Sequence, residues 1–160
     1  MSLATEAELV QNSGVGAALV WAFTLKFYDQ TDQARGPLLP LILPVLPMTF
    51  HQETVDALYR RNFDGGLDLG LAENRTLTID LQERTQAMLP QTMQALNIAF
   101  ATGLLTYLRP EGELRPVRRT APFRSDSEEL RRMLSTATRL GYWFATINSE
   151  RLGSLLRIRL

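Results

Sequence analysis

The chain contains no cysteine, which excludes disulfides, thiolate nucleophiles and Cys-ligated zinc and suits a reducing compartment. It has one histidine, His51, and among its 17 basic residues one lysine, Lys26. The remaining cations are arginines, which favour planar, bidentate ion pairs and phosphate contacts, although a GC-rich genome produces the same bias. Net charge is also lacking, since 17 acidic residues balance the 17 basic ones. No global field therefore draws in nucleic acid or an anionic membrane, and an electrostatic partner has to be met by a local patch. Residues Met1 to Gln11 carry Glu6 and Glu8 and no cation ahead of the apolar stretch Val15 to Phe27, a poor signal peptide. The expectation is a cytoplasmic protein with no membrane association and no cofactor.

The most distinctive stretch present is Gly36 to His51, strongly apolar and uncharged, yet broken by Pro37, Pro40, Pro44 and Pro47. An interior proline removes a backbone donor and clashes with the carbonyl four residues back. Pro37 and Pro40 suit the first turn of a helix, where amides lack internal partners, whereas Pro44 and Pro47 should kink or end one. The run reads as a short, bent, deeply buried helix. At 16 residues it falls short of the roughly 20 that a membrane span needs.

Around that run the periodicity is mostly helical. Asn12 or Ser13 can cap a first helix reaching about Tyr28, apolar nearly all round and hence buried or in an interface. A second is expected from Gln52 to Arg61, facing inward through Val55, Leu58 and Tyr59. The glycines of Asp64–Gly70 break the pattern. It resumes from Asp80 to Phe100, split by Pro90, and ends near Gly103. Leu104–Leu108 and Leu114–Arg119 flank a Pro/Gly turn and read as a β-hairpin over 104–119, with Pro116 marking an edge strand. Ser125 or Asp126 can cap a helix reaching Phe144, and the alternation of Leu156, Ile158 and Leu160 suggests a last short strand. At 160 residues the chain fits one domain. The class is mainly α with a small β-hairpin, winged-helix-like in element order, with an irregular helical bundle as the alternative.

Catalytic constellations are scarce. A lone histidine is more often a capping or core hydrogen-bonding group than a catalyst. Asp64, Asp68, Glu73 and Asp80 do not have EF-hand spacing, so a solvated loop reads better than a cation site. Asn12–Gly16 lacks both the third glycine of a dinucleotide loop and the Lys-Ser/Thr of a phosphate loop; its glycines suit tight helix packing instead. No catalytic, metal or cofactor residue is assigned.

Two groups remain as candidates for contacts. Arg109, Arg115, Arg118, Arg119 and Arg124 outnumber Glu111 and Glu113 on the hairpin and its exit, while His51 to Glu83 is acidic. These arginines are candidates for touching DNA phosphates or an acidic partner. Trp21, Phe27, Tyr28 and Trp143 are candidate partner-interface residues, because exposed aromatics dominate hot spots; the competing reading of Trp143 and Phe144 is core.

Three segments, Gly16–Phe23, Leu38–His51 and Arg139–Ala145, together resemble the small middle components of three-component ABC-ATPase systems of the Lamassu type, which are bacterial defence operons. The resemblance rests on hydrophobic packing signatures rather than on a catalytic string. It implies a non-enzymatic adaptor subunit that joins an SMC or Rad50-like ATPase to an effector, often a nuclease, acting on invading phage or plasmid DNA. The alternative function is a winged-helix DNA-binding regulator.

Overall fold

The computed structural model describes residues 3–124 and 126–160, with residues 3–11 described by their backbone alone. The first helix, α1 (Leu3–Gln30), is buried from Ala17 to Phe23 and again at Phe27. A helix apolar on nearly every side must be covered on nearly every side. It therefore forms the axis, with α8 (Glu128–Thr146), α7 (Leu89–Ala101), α3 (Val45–Thr49) and strand β2 (Glu113–Pro116) packed around it. Asn12 and Ser13 lie inside α1 rather than at its cap. The preceding residues contain no glycine or proline, so nothing there stops the helix.

The proline run is mostly buried, but instead of the single bent helix expected it forms two short helices, α2 (Leu39–Ile42) and α3, with Leu38 and Pro40 exposed. Pro40 takes the second position of α2, while Pro44 and Pro47 take the N-cap and third position of α3. At each of these places an amide would have no intrahelical acceptor. Pro37 lies outside the helices and instead accepts a hydrogen bond from the Leu114 amide at 2.9 Å. Next come α4 (Gln52–Leu58), α5 (Gly66–Glu73), a 3₁₀ turn (Arg75–Thr78) and α6 (Leu81–Ala87). Pro90 opens α7 and separates it from α6, as expected.

Helix α5 overturns the expectation of a broken segment. Gly66 and Gly70 sit where a Cβ would meet Arg61 at 2.9 Å and Leu58 at 2.5 Å, so close packing offsets their poor propensity. The hairpin forms inside its expected bounds: β1 (Leu105–Leu108) pairs antiparallel with β2, Leu105 opposite Pro116 and Leu108 opposite Glu113. The Val117 amide bonds the Leu104 carbonyl at 2.9 Å, which by alternation places Pro116 at a non-hydrogen-bonded position where the ladder asks for no donor.

After the hairpin, α8 is capped by Ser127, whose Oγ accepts the Leu130 amide at 3.0 Å. The cap is thus neither Asp126 nor Ser125, which lies outside the described residues. In place of the expected final strand, residues 149–156 form a helix, α9 (Ser149–Leu156), and Ile158 and Leu160 lie in the irregular tail beyond it. Asn148 Oδ1 accepts the Arg151 amide at 2.8 Å, and Leu152 and Leu156 bury together one turn apart. A cap with an i,i+4 apolar pair outweighs three alternating residues.

Candidate functional site

Most of the aromatic candidates are internal. Trp21, Phe27 and Trp143 are buried, which moves the interface expectation off all three. Trp143 Nε1 donates to the Phe63 carbonyl at 2.7 Å, tying α8 to the loop before α5. Trp21 holds the hairpin exit: its Nε1 donates to the Arg118 carbonyl at 2.9 Å, and Phe123 packs on its ring edge-to-face at 5.8 Å. Burying both rings while satisfying both N–H groups is the usual arrangement for core tryptophan. Tyr28 is half-buried, with the Arg115 guanidinium 5.7 Å above its ring.

The five arginines divide by partner. Arg119 Nη2 donates to both carboxylate oxygens of Asp29, at 2.7 and 2.9 Å, fixing the hairpin exit to the end of α1. Arg115 Nε pairs with Glu113 at 2.6 Å, and Glu113 is buried. Arg109, Arg118 and Arg124 are exposed, and none has an acidic partner among the described residues. The hairpin, which carries Arg109 at its turn and leads to Arg118 and Arg124 at its exit, is seated by a close approach at Gly36, where a Cβ would fall on the Leu114 carbonyl oxygen.

Of the acidic candidates, Asp64 and Asp68 line one pocket with Tyr142 and Arg151, and Glu73 lines another. Asp64 accepts from the Tyr142 hydroxyl, Asp68 pairs with Arg151 at 2.8 Å, Glu73 with Arg61 at 2.5 Å and Asp80 with Arg84 at 3.2 Å. The Arg61 hydrogen bond holds the Glu73 carboxyl below its ordinary pKa. The hydrogen bond to Asp64, aided by burial, pushes the Tyr142 phenol up. No group of three or more His, Asp or Glu side chains among the described residues can hold a metal ion. His51 stands at the N-cap of α4 with Nδ1 2.8 Å from the Thr54 hydroxyl. No helix among the described residues is long and apolar enough to cross a membrane.

A second surface lies on α7. Thr92, Ala95, Leu96 and Ala99 face the core. Leu89, Met93 and Phe100, spaced four and seven residues apart, share an adjoining stripe and are exposed. A signal for it stands in the sequence: between Arg84 and Arg109 there is no charged residue. An exposed helix in a chain that is 21% charged normally carries charge on its outer face.

Residues 1–160 match the family model for Middle Component 3 of ABC-three component (ABC-3C) systems, and the chain belongs to that family. No curated protein and no solved structure matches it. Membership makes the chain one component of a multi-component system.

Proposed function

We propose that this middle component is a non-enzymatic adaptor that joins an SMC or Rad50-like ATPase to an effector, a nuclease, in a Lamassu-type defence complex acting in the cytoplasm on phage or plasmid DNA. The observation that carries the reading is the presence of two exposed surfaces of different chemistry on one small body. The stripe on α7 is apolar and uncharged, and the hairpin and its exit carry Arg109, Arg118 and Arg124, exposed and without an acidic partner among the described residues. A bridge has to hold two partners at once, and chemically distinct surfaces keep each partner from competing for the other's place. The carboxylates, each paired with its own cation or hydroxyl, support a binding role over a reaction.

Co-expression of the three subunits followed by size exclusion tests the proposal. The expected result is a three-subunit peak that breaks into separate ATPase and effector peaks when this chain is omitted. Elution of the chain as a monomer beside two unaffected partners overturns it.

The exposed Arg109, Arg118 and Arg124 favour a second reading, a winged-helix-like DNA-binding regulator with the hairpin as its wing. Phosphate contact predicts an affinity for duplex DNA that falls linearly on a log–log salt plot. Fluorescence anisotropy across a salt series separates the two readings.

A further inference from the structure

A surface cavity of about 490 Å³ lies along α9, lined by that helix, by Gln82 of α6 and by the tail that follows α9. Glu150 and Ser154, one turn apart, present one face of the helix to it, and Arg157 and Arg159 line it from the tail. Arg157 ends the helix in the left-handed conformation, at φ 56°. Glycine usually takes that place, because a Cβ is crowded there. Nothing within the chain offsets the crowding. Neither the Arg157 nor the Arg159 guanidinium has a hydrogen bond, ion pair or ring contact among the described residues. Arg151, on the same helix, is by contrast paired with Asp68 at 2.8 Å. The two free guanidiniums are nevertheless carried on a fixed backbone. The Ile158 amide donates to the Gly153 carbonyl at 3.1 Å, the Arg159 amide donates to Gln82 Oε1 at 2.8 Å, and Leu156 just before them is fully buried.

The geometry points to a small phosphate monoester as the ligand of this cavity, with its phosphate on Arg157 and Arg159. The inference goes beyond the adaptor reading and does not depend on it. Each guanidinium is a planar fork of N–H donors that matches an oxyanion, and the Ser149 and Ser154 hydroxyls lining the same cavity add further donors. One fork occupies both oxygens of a carboxylate. A terminal phosphate offers three strong acceptor oxygens, enough for two forks and a hydroxyl, and a phosphodiester offers one fewer. The volume is within the range of small-ligand sites, roughly 300–1,000 Å³, so the cavity holds more than the anion. Gln82 and Glu150 supply hydrogen-bonding groups and Ile158 an apolar surface for the remainder of the molecule. Because the arginines are already held in place, little ordering is left for binding to oppose.

The test uses the full chain, with AMP and inorganic phosphate as calorimetric probes and a short DNA duplex without terminal phosphates as an anisotropy probe. The variants are R157G and R159Q. R75Q is the control, since Arg75 in the 3₁₀ turn is also exposed and without an acidic partner among the described residues. The expected result is that AMP binds the wild type and inorganic phosphate competes with it. R157G and R159Q each weaken AMP at least tenfold, and R75Q leaves it unchanged. R157G also raises the thermal midpoint, because glycine takes this backbone conformation without crowding, so its loss of binding cannot come from unfolding. If AMP fails to bind the wild type, or binds R157G and R159Q as tightly as the wild type, the inference falls. If inorganic phosphate binds and AMP does not, the cavity is an anion site too small for an ester, and the inference falls again. If the duplex binds and is weakened by R157G and R159Q while AMP is not bound, the arginines serve a nucleic-acid backbone and the inference is overturned. The adaptor reading stands in each case.

Discussion

At Gly141 a single added methyl group measures how closely α1 and α8 approach. A Cβ there would overlap the Phe23 carbonyl oxygen and lie 3.0 Å from the Lys26 Cβ. Backbone cannot rotate out of the way as a side-chain end can, so the two helices would have to part. Gly141→Ala gains up to about 1 kcal/mol in helix propensity and loses about 1–3 kcal/mol to overpacking. The net expectation is destabilisation, read as a lower thermal midpoint by about 2–4 °C per kcal/mol for a chain of this size. Gly14→Ala is the matched control: it also lies inside α1, but nothing stands within 4 Å of an added Cβ, and its midpoint should rise. A Gly141→Ala midpoint at or above wild type would contradict this packing.

At the scale of elements, α8 is tied to the loop before α5 by several bonds of different kinds. Arg139 Nε donates to the Arg61 carbonyl at 2.7 Å, Trp143 donates to the Phe63 carbonyl, and the Tyr142 hydroxyl donates to Asp64. Two cations approach the Phe63 ring, Lys26 Nζ at 4.9 Å and the Arg139 guanidinium at 4.8 Å. The tyrosine link is sensitive to pH. Its folded pKa is raised above the ordinary value near 10, so its stabilisation is complete below that value and is lost as pH rises through the folded one. Urea melts over that alkaline range should show wild type losing stability more steeply than Tyr142→Phe, which has no phenol to ionise; parallel declines would rule the link out. Legibility follows the same division between local and long-range effects. The hairpin, the Pro90 split and the punctuation of the proline run are set by local backbone chemistry, which sequence displays. Helix α5 was hidden because its glycines are explained by Leu58 and Arg61, which come to them through the fold. Helix α9 was hidden because a weak alternation masked the Asn148 cap. The hydrogen bond that satisfies the buried Trp21 ring is accepted by the carbonyl of Arg118, 97 positions away, and no spacing rule reaches that far.

For the molecule as a whole, zero net charge conceals an uneven distribution. The 24 residues from Thr85 to Leu108 carry no charge, and the hairpin turn and exit that follow carry Arg109, Arg118 and Arg124, which have no acidic partner among the described residues. Both surfaces are exposed, and the α7 stripe is built on a helix whose other side is core. A charge placed on the stripe should therefore leave the fold intact, because a surface substitution away from caps and buried groups changes stability by no more than about 0.5 kcal/mol. It should nevertheless be costly in a complex, where a lone carboxylate would be desolvated against an apolar partner. Sites that share no contacts act additively, which makes the two-surface adaptor separable by mutation. M93E should remove one subunit from the three-component complex, R109E/R118E should remove the other, and the combined variant should remove both while keeping the wild-type melting curve. Size exclusion of the co-expressed complexes reads all three outcomes. Loss of both partners from either variant alone would mean that the two surfaces form one continuous site, and the chain would then be a lid on a joint made by its partners rather than the bridge between them.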